Sequence, residues 1–324
     1  MIDGQGRVID YIRISVTDRC NLRCVYCMPE EGIEPAAHEE ILRYQEIERL
    51  AGIFARMGIR KIKITGGEPL VRRGIEELVK NLKKTPGIEQ VTLTTNGILL
   101  SEKWEGLKAA GLDGINLSLD TLNPQVYRQI TRREGLEKTL EGMKKILEDG
   151  TIPLKINCVP MGIPGQNVEE LVELSRKYPV HVRYIEMMPI GLGKEYRGVT
   201  EEELLGELEA LYGKSKAYEE RLGNGPGHYF EFSGFLGKIG FISAISHKFC
   251  YQCNRVRLTS QGFLKTCLQY ENGVELRGLL RSGAGDEELE EVIQKEILCK
   301  PVSHHFLQEE KEKTEHRIMS QIGG

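Results

Sequence analysis

Two groups of three cysteines, Cys20-x3-Cys24-x2-Cys27 near the start and Cys250-x2-Cys253 with Cys267 near the end, are the residues here whose type and spacing could do chemistry. Thiolates bind soft metals and iron–sulfur clusters, and a cubane cluster or structural zinc ion normally takes four cysteine or histidine ligands. Each triplet is one ligand short, which leaves a metal position open for a cofactor or a substrate. The plainer readings are a zinc site completed by a distant residue for the first triplet, and a zinc knuckle using His247 for the second. Six of the eight cysteines fall in these groups; Cys158 and Cys299 stand apart and are expected to be packed thiols.

Other unusual residues sit where strands should end. Lys63-Ile64-Thr65 runs into Gly66-Gly67-Glu68-Pro69. The two glycines would let a ligand approach the backbone, while Pro69 stops the ladder and leaves the Glu68 carboxylate at the rim. Arg13, Lys63, Lys155 and Arg183 each lie between apolar neighbours on a predicted strand. Side chains alternate faces along a strand, so if the apolar neighbours pack under helices, all four cations point inward, and Arg255 and Arg257 share a face by the same rule. A cavity with that much positive charge and few carboxylates is costly unless a polyanion fills it, and a nucleoside triphosphate would suit. No Gly-x4-Gly-Lys-Ser/Thr loop is present, so side chains would hold the phosphates.

The elements that must position these residues follow a simple alternation. Strands are predicted at Tyr11 to Val16, Arg60 to Thr65, Val91 to Thr95, Ile115 to Leu119, Leu154 to Val159 and Val182 to Glu186. Helices lie between them, as at Tyr44 to Met57, with Ile47, Leu50, Ile53 and Phe54 at helical spacing and Gly58 as a stop, and at the stripe Leu136, Leu140, Met143 and Leu147. Asn167 with Glu170 and Thr200 with Glu203 read as capping boxes. Six βα units in series mean a parallel sheet with its ligand site at the carboxyl ends of the strands. Periodicity alone leaves open whether that sheet is flat or curled toward a barrel. After Glu219 the alternation breaks, so the chain is divided into a larger unit at 1–218 and a smaller α+β extension at 219–324, with a charged helix near Asp286 to Ile297.

Composition narrows the partners. A net charge of -4 argues against a generally basic surface for nucleic acid or membrane, so neither is an expected partner. Residues 1–10 lack a basic and then apolar leader, and no stretch reaches the roughly 18 apolar residues of a membrane span, so the expected location is the cytoplasm. Thiols stay reduced there, which favours metal sites over disulfides.

With Tyr26 before its last cysteine and Gly-Gly-Glu-Pro downstream, the first triplet resembles the radical S-adenosylmethionine enzymes. That resemblance implies a partial (β/α)6 TIM-type barrel with the C-terminal α+β extension added. It also implies a [4Fe-4S] cluster on Cys20, Cys24 and Cys27 whose open iron binds the amino and carboxylate groups of S-adenosylmethionine. One-electron reduction then yields a 5′-deoxyadenosyl radical that abstracts a substrate hydrogen.

Val16-Thr17-Asp18-Arg19-Cys20-Asn21, Tyr26-Cys27-Met28-Pro29, Cys253 to Thr259, Leu264 to Leu268 and Ile322-Gly323-Gly324 are similar to the branch of that family that cyclises GTP at the start of molybdenum cofactor biosynthesis. This likeness spans the whole chain. It implies a second [4Fe-4S] cluster on Cys250, Cys253 and Cys267 whose open iron binds guanine. The radical would take the 3′ hydrogen of ribose, and the sugar radical would attack C8. By position, Tyr26, Gly67, Ser118 and Met188 match S-adenosylmethionine contacts. Arg13, Lys63, Thr94, Lys155, Arg255, Val256 and Arg257 match GTP contacts.

In the same likeness Arg255, Arg257 and the tail glycines Gly323 and Gly324 match catalytic positions. The segment Tyr184 to Pro189 departs from the commoner pattern, so Met187 competes with Met188. His304 and His305 receive no role. Implied partners are a flavodoxin- or ferredoxin-like electron donor and, downstream, cyclic pyranopterin monophosphate synthase; a homodimer is compatible. The rival readings are a radical S-adenosylmethionine enzyme of peptide maturation and a non-catalytic zinc or iron–sulfur protein.

Overall fold

The computed structural model describes residues 1–306 and 315–323. Among these described residues twelve strands form one sheet: β1 Tyr11–Ser15, β2 Lys61–Thr65, β3 Gln90–Thr95, β4 Ile115–Ser118, β5 Leu154–Cys158, β6 His181–Ile185, β7 Lys216–Tyr218, β8 His228–Glu231, β9 Ile239–Ile242, β10 Arg255–Leu258, β11 Phe263–Lys265 and β12 Gly273–Glu275. Their spatial order is β12-β11-β10-β1-β2-β3-β4-β5-β6-β9-β8-β7. The six central strands are parallel and in chain order, as the βα alternation requires of a partial barrel. The C-terminal strands add to both edges of this same sheet. Strand β10 pairs parallel with β1 and carries β11 and β12 antiparallel, while β9 pairs parallel with β6 and carries β8 and β7. The second cysteine group is thereby delivered next to the strand that precedes the first.

The helices are α1 Tyr44–Arg56, α2 Ile75–Lys84, α3 Leu100–Ala109, α4 Pro124–Thr131, α5 Leu136–Asp149, α6 Val168–Lys177, α7 Glu201–Tyr212, α8 Leu276–Arg281, α9 Asp286–Leu298 and α10 Met319–Ile322. Alternate strand residues Ile12, Ile14, Ile62, Ile64, Val91, Leu93, Leu117, Ile156 and Val182 are buried in one hydrophobic core with Ile47, Leu50, Ile53 and Phe54 of α1 and Leu78 and Leu82 of α2. Fully burying a side chain of this kind contributes about 1.5–3 kcal/mol, so the outer face of the sheet is firmly specified. That leaves the intervening residues, Arg13, Lys63, Thr92, Thr94, Asn116 and Lys155, for the inner face. Register aligns them: Arg257 is level with Arg13, Arg13 with Lys63 and Lys63 with Thr92, while Thr94 is level with Asn116 and Asn116 with Lys155.

Local expectations mostly hold, with two corrections. Thr200 and Glu203 form a capping box: the Glu203 amide donates to Thr200 Oγ1 at 3.2 Å, and the Thr200 amide donates to Glu203 Oε2 at 2.9 Å. Asn167 stands at the N-cap of α6 but makes no side-chain capping bond; it is left-handed at φ 47° and its side-chain Nδ2 instead donates to Glu170 Oε1 at 2.8 Å. Of the two isolated cysteines, Cys158 is buried as expected, but Cys299 is exposed just beyond α9, where the helix turns its last residues to solvent. Among the described residues no helix is long and apolar enough to cross a membrane. Loss of a threonine cap costs about 1 kcal/mol, so Thr200→Ala should lower the urea midpoint without changing the slope of the transition; an unchanged midpoint would show that α7 is held by packing alone.

Candidate functional site

The loop after β1 carries the first triplet and is fastened from several sides. The Arg23 and Val25 amides donate to the carbonyls of Thr131 and Ile130, both at 2.9 Å, at the end of α4. The Cys27 amide closes a tight turn on the Cys24 carbonyl at 2.8 Å, and the Arg23 guanidinium donates to the Cys20 and Leu22 carbonyls at 2.7 and 2.8 Å. The Gly-Gly-Glu-Pro segment supports this loop. A Cβ on Gly67 would lie 2.4 Å from the Arg19 carbonyl oxygen, and one on Gly66 would lie 2.7 Å from that of Thr17. Both glycines are therefore needed for the close approach of the cysteine loop, and both also line the cavity, where the sequence suggested approach of a ligand.

Glu68 lines the strand-end cavity but is only 1% exposed, its carboxylate accepting from the Leu70 amide at 3.0 Å, Thr95 Oγ1 at 2.7 Å and the Asn96 amide at 2.7 Å. Burial pushes its carboxyl up to about 7, against the pull of these donors.

One cavity of about 340 Å³ lies at the carboxyl ends of the strands, and both triplets line it. Cys20, Cys24, Cys27, Cys250, Cys253 and Cys267 are all in its wall, with Arg13, Gly67, Thr94, Ser118, Met188, Arg255 and Arg257, whereas Lys63 and Lys155 are not among its lining residues. Burial pushes the Cys20 thiol up to about 11 and the Cys27 thiol up to about 12, and raises Cys24, which also feels its two neighbours. Buried thiols of this kind become thiolates only when a cationic group shares the site. Around the second triplet burial also opposes ionisation of Cys253, but the Lys300 ammonium and the Arg255 guanidinium outweigh it and bring that thiol down to about 7.

Among the described residues no three His, Cys, Asp or Glu side chains converge as a cage for a single ion does. Three thiols with no fourth protein ligand beside them are the donor set of a cubane with one open iron, and both triplets line the cavity. His247 is not in the cavity wall; its ring lies 3.4 Å from the Glu201 carboxylate and against the His228 ring, so it does not complete the second triplet as the zinc-knuckle reading required.

The inner-face cations do converge. Lys63 is 7% exposed, and its ammonium is held well below its ordinary value by burial and then by Arg183, Arg13, Lys155 and Arg255. Burial and the same kind of crowding bring Lys155 down to about 8 and Arg257 down to about 9. Few partners relieve this charge: Arg183 donates to Asn157 Oδ1 at 2.6 Å and Lys155 to the Leu222 carbonyl at 3.2 Å. Arg255 keeps two buried guanidinium nitrogens, and Arg183 one, without a hydrogen-bond partner. Such orphaned donors ask for a polyanion.

Remaining expected residues are placed as follows. Tyr26 lines the cavity, its hydroxyl donating to Asp120 Oδ2 at 2.9 Å. Met187 and Met188 both reach the cavity wall, and Met187 also packs with Val126, Ile130 and Met161. The Val256 side chain lies in the hydrophobic core, leaving only its backbone for a ligand. Gly323, at φ 85°, takes a conformation suited to glycine, and its carbonyl accepts from Thr65 Oγ1 at 3.1 Å and Arg257 Nη1 at 3.4 Å. Met319 and Ser320 of the same tail line the cavity. Gly324 lies outside the described residues.

Sequence reasoning missed Asp120, Asn157, Lys300 and His304 in the wall. Asp120 lies two residues beyond β4, a strand-end position where the barrel rule could have found it; nothing local marks Lys300 or His304.

Comparison with known proteins agrees with this geometry. Residues 14–177 match the Radical SAM superfamily and residues 180–306 match Molybdenum Cofactor Synthesis C. A curated GTP 3′,8-cyclase of Heliobacterium modesticaldum is 47% identical over 330 residues, covering 100% of both chains. One of Clostridium perfringens strain SM101 is 45% identical over 329 residues, again covering 100% of both. Among solved structures, Streptococcus suis SuiB bound to S-adenosylmethionine matches 89% of this chain and 68% of its own at a TM-score of 0.62 and 15% identity, a likeness of fold.

Two tests follow from the site itself. Gly67→Ala should displace the cysteine loop and lower iron uptake by the first triplet, measured as iron per chain after anaerobic reconstitution; full iron content would show that the loop tolerates the shift. For Lys155, a folded-state value near 8 against the ordinary 10.5 means that the folded protein binds fewer protons than the unfolded chain between those pH values. Its stability therefore rises with pH across that window. Ligand-free Lys155→Met should accordingly melt above the unsubstituted protein at pH 8, with the gap closing towards pH 10.5. A gap independent of pH would contradict the crowding.

Proposed function

The chain belongs to the GTP 3′,8-cyclase family of the radical S-adenosylmethionine superfamily, and from that membership we propose that it carries out the first step of molybdenum cofactor biosynthesis. The reaction converts GTP to (8S)-3′,8-cyclo-7,8-dihydroguanosine 5′-triphosphate. The observation that carries this reading is a single cavity lined by both incomplete thiol triplets and by Arg13, Arg255 and Arg257, with the Lys63 ammonium buried against the same cations. When bound, the first [4Fe-4S] cluster supplies the electron that releases a 5′-deoxyadenosyl radical from S-adenosylmethionine, and the second supplies an open iron for guanine.

The chain's own contribution is binding, orientation and exclusion of water. Tyr26, Gly67, Ser118 and Met188 would hold S-adenosylmethionine near Cys20, Cys24 and Cys27. Arg13, Lys63, Lys155, Arg255 and Arg257 would offset the charge of the triphosphate, with Thr94 and the Val256 backbone completing the contacts. Because the cations already crowd one another, anion binding relieves repulsion as well as forming new hydrogen bonds. The tail would close the same cavity, since Gly323 meets both Thr65 and Arg257, and Gly324 continues from it. Residues 1–218 are read as the barrel and 219–324 as the extension that brings in the second cluster. A cytoplasmic location, a flavodoxin- or ferredoxin-class electron donor, and product transfer to cyclic pyranopterin monophosphate synthase complete the proposal.

The reconstituted, reduced protein given GTP deuterated at C3′ should place deuterium in 5′-deoxyadenosine and form the cyclised nucleotide. Unlabelled 5′-deoxyadenosine would rule out this reaction, and radical chemistry only on an added peptide would favour the maturation alternative. Lys63→Met should weaken GTP binding about 10–100-fold, the loss of a charged hydrogen-bond partner being about 1.5–3 kcal/mol, with S-adenosylmethionine affinity unchanged in parallel calorimetry.

A further inference from the structure

The second triplet is spread over three backbone segments: Cys250 in a short helical turn, Cys253 just before β10 and Cys267 just after β11. Two buried cations from outside these segments tie them together. Lys300, beyond the end of α9, is 4% exposed, and its ammonium donates to the Arg255 carbonyl at 3.0 Å and to the Thr266 carbonyl. It therefore joins the start of β10 to the end of β11, the two segments that carry Cys253 and Cys267. Among the described residues it forms no ion pair with a carboxylate, and it lies close to the Cys253 thiol.

Arg7 secures the third segment. It is 8% exposed, with Nη1 donating to the Cys250 carbonyl at 2.8 Å and the Val302 carbonyl at 3.0 Å, and Nη2 donating to the Pro301 carbonyl at 2.7 Å and the Lys300 carbonyl at 3.4 Å. One guanidinium thus fixes the Cys250 turn to the strand of chain that bears Lys300. Arg7 is itself oriented by Asp3, 3% exposed, whose Oδ2 accepts from Arg7 Nε at 2.6 Å, while Oδ1 accepts from the Gln5 and Arg7 amides, both at 2.9 Å. The Ile2 and Val8 backbones pair antiparallel across this turn. A buried ammonium without a carboxylate is expensive unless the site gains negative charge, and three thiolates around a cluster would provide it. The buried Asp3–Arg7 pair likewise spends its remaining donors on holding carbonyls in place.

We propose that Lys300 and the Asp3–Arg7 pair are positioning residues for the C-terminal cluster: Arg7 and Lys300 hold the three cysteine segments in register, and the Lys300 charge stabilises the reduced form of the group that they bind. This rests on the reading of Cys250, Cys253 and Cys267 as cluster ligands. Hydrogen bonds and charge beside the sulfurs set the potential of an iron–sulfur cluster, and the residues around a metal site fix its ligands. Lys300 can act in both ways and Asp3 only in the second, so their substitutions should differ.

The test uses the full chain, anaerobically reconstituted, with iron per chain, chelator-driven iron release, and potentials from redox titration followed by electron paramagnetic resonance. The unsubstituted protein should hold about eight irons. Lys300→Met should leave the N-terminal cluster and S-adenosylmethionine binding unchanged. Its C-terminal cluster should release iron at least tenfold faster and shift to a more negative potential by a tenfold change in the one-electron equilibrium, 59 mV. Selective absence of the C-terminal irons would be the extreme of the same result. Asp3→Asn should speed iron release without that shift in potential, and it carries the test if Lys300→Met does not fold. Eight irons with unchanged release and potential in both variants would overturn the proposal while sparing the cluster assignment. Only about four irons in the unsubstituted protein would overturn the assignment itself, and the proposal with it.

Discussion

Mutual repulsion among cations that the strand register forces into one lumen is the constraint around which this protein is organised. Arg257, Arg13 and Lys63 occupy level positions on β10, β1 and β2, and Lys155 and Arg183 approach from β5 and β6. Their positions are fixed by apolar neighbours that each contribute to the core, so the cations cannot turn outward without exposing isoleucines and valines. The free protein therefore bears an electrostatic cost that an anionic ligand removes. The buried core and the inward row of cations rest on the same alternation of side chains.

The thiol triplets share that organisation. The first is held by a loop packed so closely on Gly66 and Gly67 that no side chain fits between them, and the Glu68 carboxylate joins the ends of β2 and β3 beneath it. The second reaches the same cavity because the chain, after completing six βα units, returns to pair β10 beside β1. Parallel pairing at that edge sets Arg255 level with Tyr11 and Arg257 level with Arg13, and so fixes the depth at which Cys253 enters. The tail is tied down where Glu315 meets the buried Lys265 and where Gly323 meets Thr65 and Arg257, and its Met319 and Ser320 line the cavity. Sheet topology, thiol triplets and tail consequently meet at one cavity.

Much of this was legible in the sequence because its signals are local. Cysteine spacing, the Gly-Gly-Glu-Pro turn, the period-two placement of Arg13, Lys63, Lys155 and Arg183, and six βα units depend only on neighbours a few residues away. Those regularities determined the parallel sheet, the two thiol triplets and the inward row of cations, since a one-residue slip in any strand would put a cation in the core and an isoleucine in the lumen; the barrel form came from the family resemblance. What only the tertiary structure decided involves partners far apart in sequence. The Glu68 carboxylate is buried by Thr95 and Asn96, His247 is drawn away to Glu201, and Arg7 and Lys300 meet the second triplet from opposite ends of the chain. Charge, hydrogen bonding and burial act through space, and no spacing rule within a single chain segment encodes which distant carbonyl or carboxylate a buried cation will find.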